Sequence, residues 1–270
     1  MKKNMKQKLP ENLIQLMQAD LNEYEMKYNG QFAENPHIGL GNKKTRCVNE
    51  ATLPIITCHH SCIEKCAATC YVINIMTYPR ASCRRCQARN TVLRRIDPDR
   101  YYEYFFQQAE RKNLPIRLSD GGDFENAMQV KACIAAAKRH PTVQAIGYTK
   151  RVELLKDFLE APSNMHIRYS TWENDEVNTK VALSLGFNLS YVVYDGSGNC
   201  PYQMSISRYR KQKYAIAQEL RASGIDVKTA SKMAEKKADE LVKVHHCRNC
   251  AIRQCGCFKD GQDIRFNVVG

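Results

Sequence analysis

The sequence predicts an α/β chain, a partial parallel (β/α)6 barrel with an N-terminal helix and a C-terminal helical, cysteine-rich extension. Two observations carry this. Six strand-like runs of five or six residues alternate with amphipathic helical stretches along the body of the chain, and strict alternation means parallel strands joined by crossover helices. From the second run to the fifth the repeat is about 23 to 28 residues, which suits one βα unit and leaves little room for inserted domains.

In chain order, residues 10–29 place Leu13, Ile14, Leu16, Met17, Leu21 and Tyr24 at helical spacing, with Pro10 in the first turn and Gly30 as the stop. This is an N-terminal cap, and residues 1–40 form the first segment. A Gly- and Asn-rich loop from Gly39 to Asn49 leads into the strand candidates Leu53–Thr57, Pro115–Ser119, Val143–Tyr148, His166–Thr171, Leu189–Tyr194 and Ile264–Val269. Helical stretches fall at Tyr101–Lys112, Glu125–Arg139, Val152–Glu160 and Asp175–Leu185, the last ended by Gly186. Residues 41–205 form the partial barrel. Residues 206–270 add two basic helical segments parted at Ser223-Gly224, a cysteine knot and the final strand.

Length and composition bound the class. At 270 residues, 43% hydrophobic and 26% charged, the chain has material for a full core and is not disordered. No run approaches the roughly 18 apolar residues of a membrane span, and Met1–Lys8 leads into Pro10-Glu11-Asn12 instead of an apolar signal core. A cytoplasmic protein without membrane contact is expected.

Thirteen cysteines need a different explanation from disulfides in a reducing compartment. Six lie within residues 58–86 and four within 247–257, so clustering at short spacing reads as metal ligation. Cys58, Cys62, Cys66 and Cys70 recur every four residues just after the first expected strand. A stripe of small buried residues is the plain alternative. Zinc could take Cys58 and Cys62 with the C-x-x-C pair Cys83 and Cys86, and an iron–sulfur cluster is equally within reach of soft thiolates. Spacing does not separate these metals. Sites in parallel α/β folds collect at the C-terminal ends of strands, however, so the loops after Thr57, Ser119, Tyr148 and Thr171 form the expected rim, where an iron–sulfur site has more to do than a structural zinc.

At the other end Cys247, Cys250, Cys255 and Cys257 put four thiolates in eleven residues, a closed zinc knot or a second iron–sulfur cluster. Cys133 lies in an Ala-rich helix and is read as core. The net charge of +13 is concentrated in residues 65–96 and 206–248. Clustered positive charge draws polyanions, so a nucleic acid or a nucleotide is the expected partner, with a solvated helix face as the alternative.

A cysteine cluster after the first strand, followed by Ile116-Arg117-Leu118-Ser119-Asp120-Gly121-Gly122-Asp123 at the second, resembles the layout of radical S-adenosylmethionine (SAM) enzymes. The order of Cys70-Tyr71, Arg89-Asn90, Arg117, Ser119 and Gly122-Asp123-Phe124, Tyr148-Thr149-Lys150 and a terminal C-x2-C knot resembles more narrowly the phage and bacterial "gene product 88" domain family, over roughly residues 40–270. That family resemblance implies a phage or mobile-element origin, hence a host cytoplasm, and no settled activity. The radical SAM resemblance implies a [4Fe-4S] cluster on Cys62, Cys66 and Cys70 with Cys58 in reserve. It also implies SAM near Gly121, Gly122, Asp123, Ser119, Tyr148 and Lys150, and an electron donor such as flavodoxin or ferredoxin. The chain departs from the pattern in its C-x3-C-x3-C spacing and in carrying Asp123 where a Glu is usual. Two functions follow as expectations: an iron–sulfur enzyme modifying a nucleic acid or nucleotide, or a metal-stabilised nucleic-acid-binding protein without chemistry of its own.

Overall fold

The computed structural model describes residues 11–40, 47–59, 70–76, 81–171, 175–193, 206–241 and 264–267. Helix α1 (Glu11–Tyr28) opens the chain, and strand β1 (Val48–Ala51), helices α2 (Tyr71–Met76), α3 (Ala81–Ile96) and α4 (Pro98–Lys112), and strand β2 (Ile116–Gly121) follow. Then come α5 (Ala127–Arg139), β3 (Ala145–Thr149), β4 (Met165–Thr171), α6 (Glu176–Ser184), β5 (Asn188–Val193), α7 (Ile206–Ala222), α8 (Val227–Leu241) and β6 (Ile264–Asn267). The fold is mixed α/β. Its strands form one sheet in the order β1 to β6, every neighbouring pair parallel.

Strand order equal to chain order means that successive crossovers wind the same way, which puts the helices on one face of the sheet. Alternate residues record this. Val48, Ile116, Leu118, Ala145, Met165 and Ile167 share one buried cluster with Tyr101, Tyr102, Phe105 and Phe106 of α4 and Val130, Cys133, Ile134 and Ala137 of α5. Tyr169 and Leu189 point the same way, into a second cluster with Leu155 and Ala182. The residues between them, Asn49, Arg117, Tyr148, Lys150, His166, Arg168, Ser170, Asn188 and Ser190, belong to the opposite face. Apart from Ile146, the described residues of that face are mostly polar, which a parallel sheet covered by helices on both sides would not tolerate.

Local chemistry explains the element ends. Asp97 caps α4 through Arg100 N–H at 2.9 Å, Pro98 begins it, and Asn113 stops it in the left-handed region at φ 50°. Asn126 caps α5 through Gln129 N–H at 3.0 Å. Helices α7 and α8 turn at Gly224, φ +86°, and pack on each other through Ile216, Ala217 and Ala234 in a cluster separate from the main core. No described helix is long and apolar enough to cross a membrane.

Two sequence expectations are corrected. The run Leu53–Thr57 is a turn, and the first strand is Val48–Ala51, which begins at the end of the stretch read as loop. Pro54 lacks the N–H a strand would use, and Ile55 takes φ +69°. The helix expected over Val152–Glu160 is instead two short 3-10 turns, Val152–Leu154 and Asp157–Glu160, separated at Leu155-Lys156. Helix α3 was not anticipated. The other five strands and the remaining expected helices stand within three residues of their expected bounds.

Candidate functional site

At the C-terminal edge of β1 and β2 the described chain reaches Cys58 and resumes at Cys70, the two cysteines of the four-residue repeat that lie among the described residues. After β1 the chain makes the turn Leu53–Ile56, with Thr57 N–H donating to Leu53 O at 3.1 Å, and reaches Cys58. A β-branched residue at positive φ is strained, so Ile55 persists there only because its surroundings hold it. Thr57 is part of that hold. Its hydroxyl donates to Leu53 O at 2.8 Å and accepts from Asp123 N–H at 3.2 Å, while its carbonyl accepts from Arg151 Nη2 at 3.1 Å. His59 lies 3.8 Å from Glu153. Cys70 packs on the core and leads into α2, where Val72, Ile73 and Met76 are buried.

Thr57, just before Cys58, and Val72, just after Cys70 and Tyr71, both lie against Gly121-Gly122. A Cβ on Gly122 would lie 2.2 Å from Thr57 Oγ1 and 2.3 Å from Thr52 Oγ1, and the residue sits at φ +77°. A Cβ on Gly121 would lie 3.2 Å from Val72 Cγ1. Glycine is therefore required at 122 for backbone conformation and for close approach. The approaching atoms are the protein's own threonines. Thr52 N–H completes the contact by donating to Gly121 O at 2.9 Å.

Asp123 is buried, and burial pushes its carboxyl above the usual range against hydrogen bonds that pull it down. Its Oδ2 accepts from Lys150 N–H at 2.9 Å and its Oδ1 from Phe124 N–H at 2.8 Å, with Thr149 adding a side-chain bond. Its backbone carbonyl accepts from Arg94 Nη2 at 2.7 Å. The carboxylate is thus a latch between the ends of β2 and β3, and the SAM amine expected on it would compete with donors already in place.

Just before the glycines, Ser119 takes φ +52° and the β1–β2 register slips, Asn49 facing Arg117 but Ala51 facing Gly121. The bulge is held by Glu50, fully buried, whose Oε2 accepts from Ser119 N–H at 2.7 Å and whose Oε1 accepts from Tyr101 Oη at 2.9 Å. Burial raises the Glu50 carboxyl, opposed by Arg94, which lies 3.5 Å away. Ser119 Oγ is buried with no partner among the described residues.

Farther along the edge, Tyr148 faces Arg168 and Arg168 faces Asn188 in register, and Ser170 faces Ser190. Lys150 Nζ donates to Ser170 Oγ at 2.6 Å. Arg117 pairs with Asp120 at 3.1 Å, and Asn49 Nδ2 donates to the same carboxylate at 3.0 Å.

Of the residues expected from sequence, Gly121, Gly122 and Asp123 meet at the latch, whereas Ser119, Tyr148 and Lys150 belong to the polar face. Cys58 and Cys70 bracket the expected cysteine loop. Cys62, Cys66, Cys247, Cys250, Cys255 and Cys257 lie outside the described residues. Among the described residues no group of three or more His, Cys, Asp or Glu is arranged to hold a metal ion. Cys83 and Cys86 stand on α3, and Gln87 Nε2 lies 3.9 Å from Cys83 Sγ, so the start of that helix is turned toward Gly121, near which the same amide lies. Cys133 is core, as expected.

Sequence reading missed Thr52, Glu50 and Arg94, named Thr57 only as a strand end, and quoted Asn90 only as part of the family resemblance. Asn90 donates to Ala51 O at 3.1 Å and Thr91 Oγ1 accepts from Leu53 N–H at 2.9 Å, so the inner side of α3 fixes the exit of β1 residue by residue. The available signal was polar residues at helical spacing, Gln87, Asn90, Thr91 and Arg94, in a stretch read for its charge, its C-x-x-C pair and its Arg-Asn pair but not for a helix.

The sequence matches the model of the family described as Gene product 88 over residues 11–260. The chain belongs to that family. No curated protein and no solved structure matches it.

Proposed function

We propose that the chain is an iron–sulfur protein of the radical SAM type, a partial (β/α)6 barrel whose polar face receives a nucleotide or nucleic-acid substrate. The observation that carries this reading is the approach of Thr57 and Val72, which flank the expected cysteine loop, to Gly121-Gly122, at the C-terminal edge of a sheet wound in one direction. The donor chemistry fits a cluster: Cys62, Cys66 and Cys70 would hold it, with Cys58 in reserve, and three thiolates leave a coordination position open. A [4Fe-4S] cluster with SAM would supply one-electron cleavage of the sulfonium. Thr52, Thr57, Gly122 and Asp123 would position the loop, and Ser119, Tyr148 and Lys150 would contact cofactor or substrate from the polar face. Asp123 serves here as a positioning residue, since its oxygens are engaged by Lys150 and Phe124. Cys247, Cys250, Cys255 and Cys257 would close a second site, as zinc or as a second cluster, and a flavodoxin or ferredoxin would deliver the electron.

Anaerobic reconstitution with iron and sulfide tests this. The expected product is brown, binds SAM with a shifted electron paramagnetic resonance signal and, once reduced, forms 5′-deoxyadenosine. A cluster that neither responds to SAM nor yields that product overturns the assignment. A second reading, a zinc-stabilised nucleic-acid-binding protein, draws support from the hairpin of α7 and α8, which exposes Arg221, Lys228, Lys232, Lys236 and Lys237. It expects a colourless protein containing zinc and no iron.

A further inference from the structure

At the rim of the polar face, donors from three adjacent strands meet. Lys150, one residue past β3, reaches Ser170 Oγ on β4 with its Nζ at 2.6 Å, and Ser170 stands in register with Ser190 on β5. Ser190 is 1% exposed and its hydroxyl has no partner among the described residues. One pleat below Ser170 on the same face of β4 is Arg168, 2% exposed. Leaving a buried hydroxyl unmatched costs about 1–3 kcal/mol. Such an atom, in register with a serine that a lysine contacts, calls for a ligand.

The geometry points to an oxyanion site formed by Lys150, Arg168, Ser170 and Ser190 that takes the phosphate monoester of a small molecule. An ammonium, a guanidinium and two hydroxyls can all donate, whereas Asp120, a carboxylate of this face, is held by Arg117 and Asn49 at the β1–β2 side. A phosphate monoester presents three terminal acceptor oxygens, matching donors spread over three strands, where a carboxylate presents two. The depth of the donors sets the size of the ligand. Arg168 and Ser190 are too enclosed to reach the backbone of a nucleic-acid duplex lying on the surface, so the molecule that engages all four donors is a free nucleotide or another phosphorylated metabolite. The site is argued from the sheet alone. It gives a substrate class to the reading above without needing a cluster.

Calorimetric titration of the full chain with inorganic phosphate, malonate, nucleosides and nucleoside 5′-monophosphates tests it. A monophosphate should bind at least about tenfold more tightly than its nucleoside, as one charge-assisted contact supplies, and phosphate should bind in preference to malonate. Lys150→Met should lower monophosphate affinity about tenfold or more. Ser190→Ala should also weaken it while leaving the melting temperature unchanged or raised, because only an unmatched hydroxyl is lost; a merely structural role would move stability and spare affinity. Titrations before and after loading with iron and sulfide should agree, so a failed cluster leaves this result standing. Monophosphates that bind no better than nucleosides, a preference for malonate, or parental affinity in both variants would overturn the site.

Discussion

The two ends of the sheet are built differently. At the N-terminal edge the polar groups are matched: Asn164 Nδ2 donates to Ala137 O, His140 O and Val143 O at 2.8–3.1 Å, its carbonyl accepts from Ala145 N–H at 2.8 Å, and His140 sits between Glu103 and Glu110 at 2.9 Å each. At the C-terminal edge Ile55 and Ser119 take positive φ, and Ser119 Oγ, Gln87 Oε1 and Arg151 Nε are buried without partners among the described residues. Strain and unmatched polar atoms persist only where surrounding structure over-determines them, and such places are enriched in sites. One edge is built for stability, and the other carries the features of a site.

The largest break in that contrast is expected at Gly122. Valine there would meet two threonine hydroxyls and take a left-handed backbone, so backbone strain and overpacking together should cost about 3 kcal/mol or more. Urea denaturation of Gly122→Val should show this against Gly30→Val, where φ is also positive, +75°, but no atom lies within 4 Å. Equal losses would mean that backbone conformation alone, and not the threonine latch, fixes this position.

How much of this was readable follows from which residues carry it. Strands β2 to β5 are short runs in which apolar residues largely alternate with others, and they fell where periodicity put them. Strand β1 hid because it reads Val48-Asn49-Glu50-Ala51, with a buried carboxylate whose partners Arg94, Tyr101 and Ser119 N–H come from distant parts of the chain. Leu53-Pro54-Ile55-Ile56 took its place in the reading because it is apolar, although its backbone turns. The double glycine was legible as a close approach, but sequence cannot say whether a ligand or Thr52 and Thr57 do the approaching. The polar face was invisible for a similar reason: His166-Ile167-Arg168-Tyr169-Ser170 alternates along one strand, but a site emerges only when Lys150 and Ser190 arrive on the neighbours.

Asp123 gives the intermediate test. In Asp123→Asn one carboxylate oxygen becomes an amide donor, and either orientation sets it against the N–H of Lys150 or of Phe124. One buried bond is lost and a donor left unmatched, for about 1–3 kcal/mol. Thermal unfolding should record that loss. If Asp123 is a latch, cluster content and SAM affinity in the folded fraction stay at parental values; a tenfold loss of SAM affinity with unchanged stability would instead put the amine on this carboxylate.

The smallest effect belongs to the matched edge. Burial lowers the His140 pKa, but hydrogen bonds from the ring to Glu103 and Glu110 and the charge of both carboxylates outweigh it, so the net shift is upward from 6.5. The groups facing the ring are those two carboxylates, Arg139, which pairs with Glu103 at 2.7 Å, Thr142, which donates to Glu110 at 3.0 Å, and the stacked ring of Phe106. A raised folded-state value means that the protonated ring stabilises the fold fully below pH 6.5, and that this contribution is lost as pH rises through the higher folded value. Urea midpoints of the parent and of His140→Gln should therefore differ most under mildly acidic conditions and converge on the alkaline side, by about 1 kcal/mol or less because the carboxylates are partly solvated. A gap that widened with rising pH would mean that His140 is held neutral at this edge, and that its match to the two glutamates is not ionic.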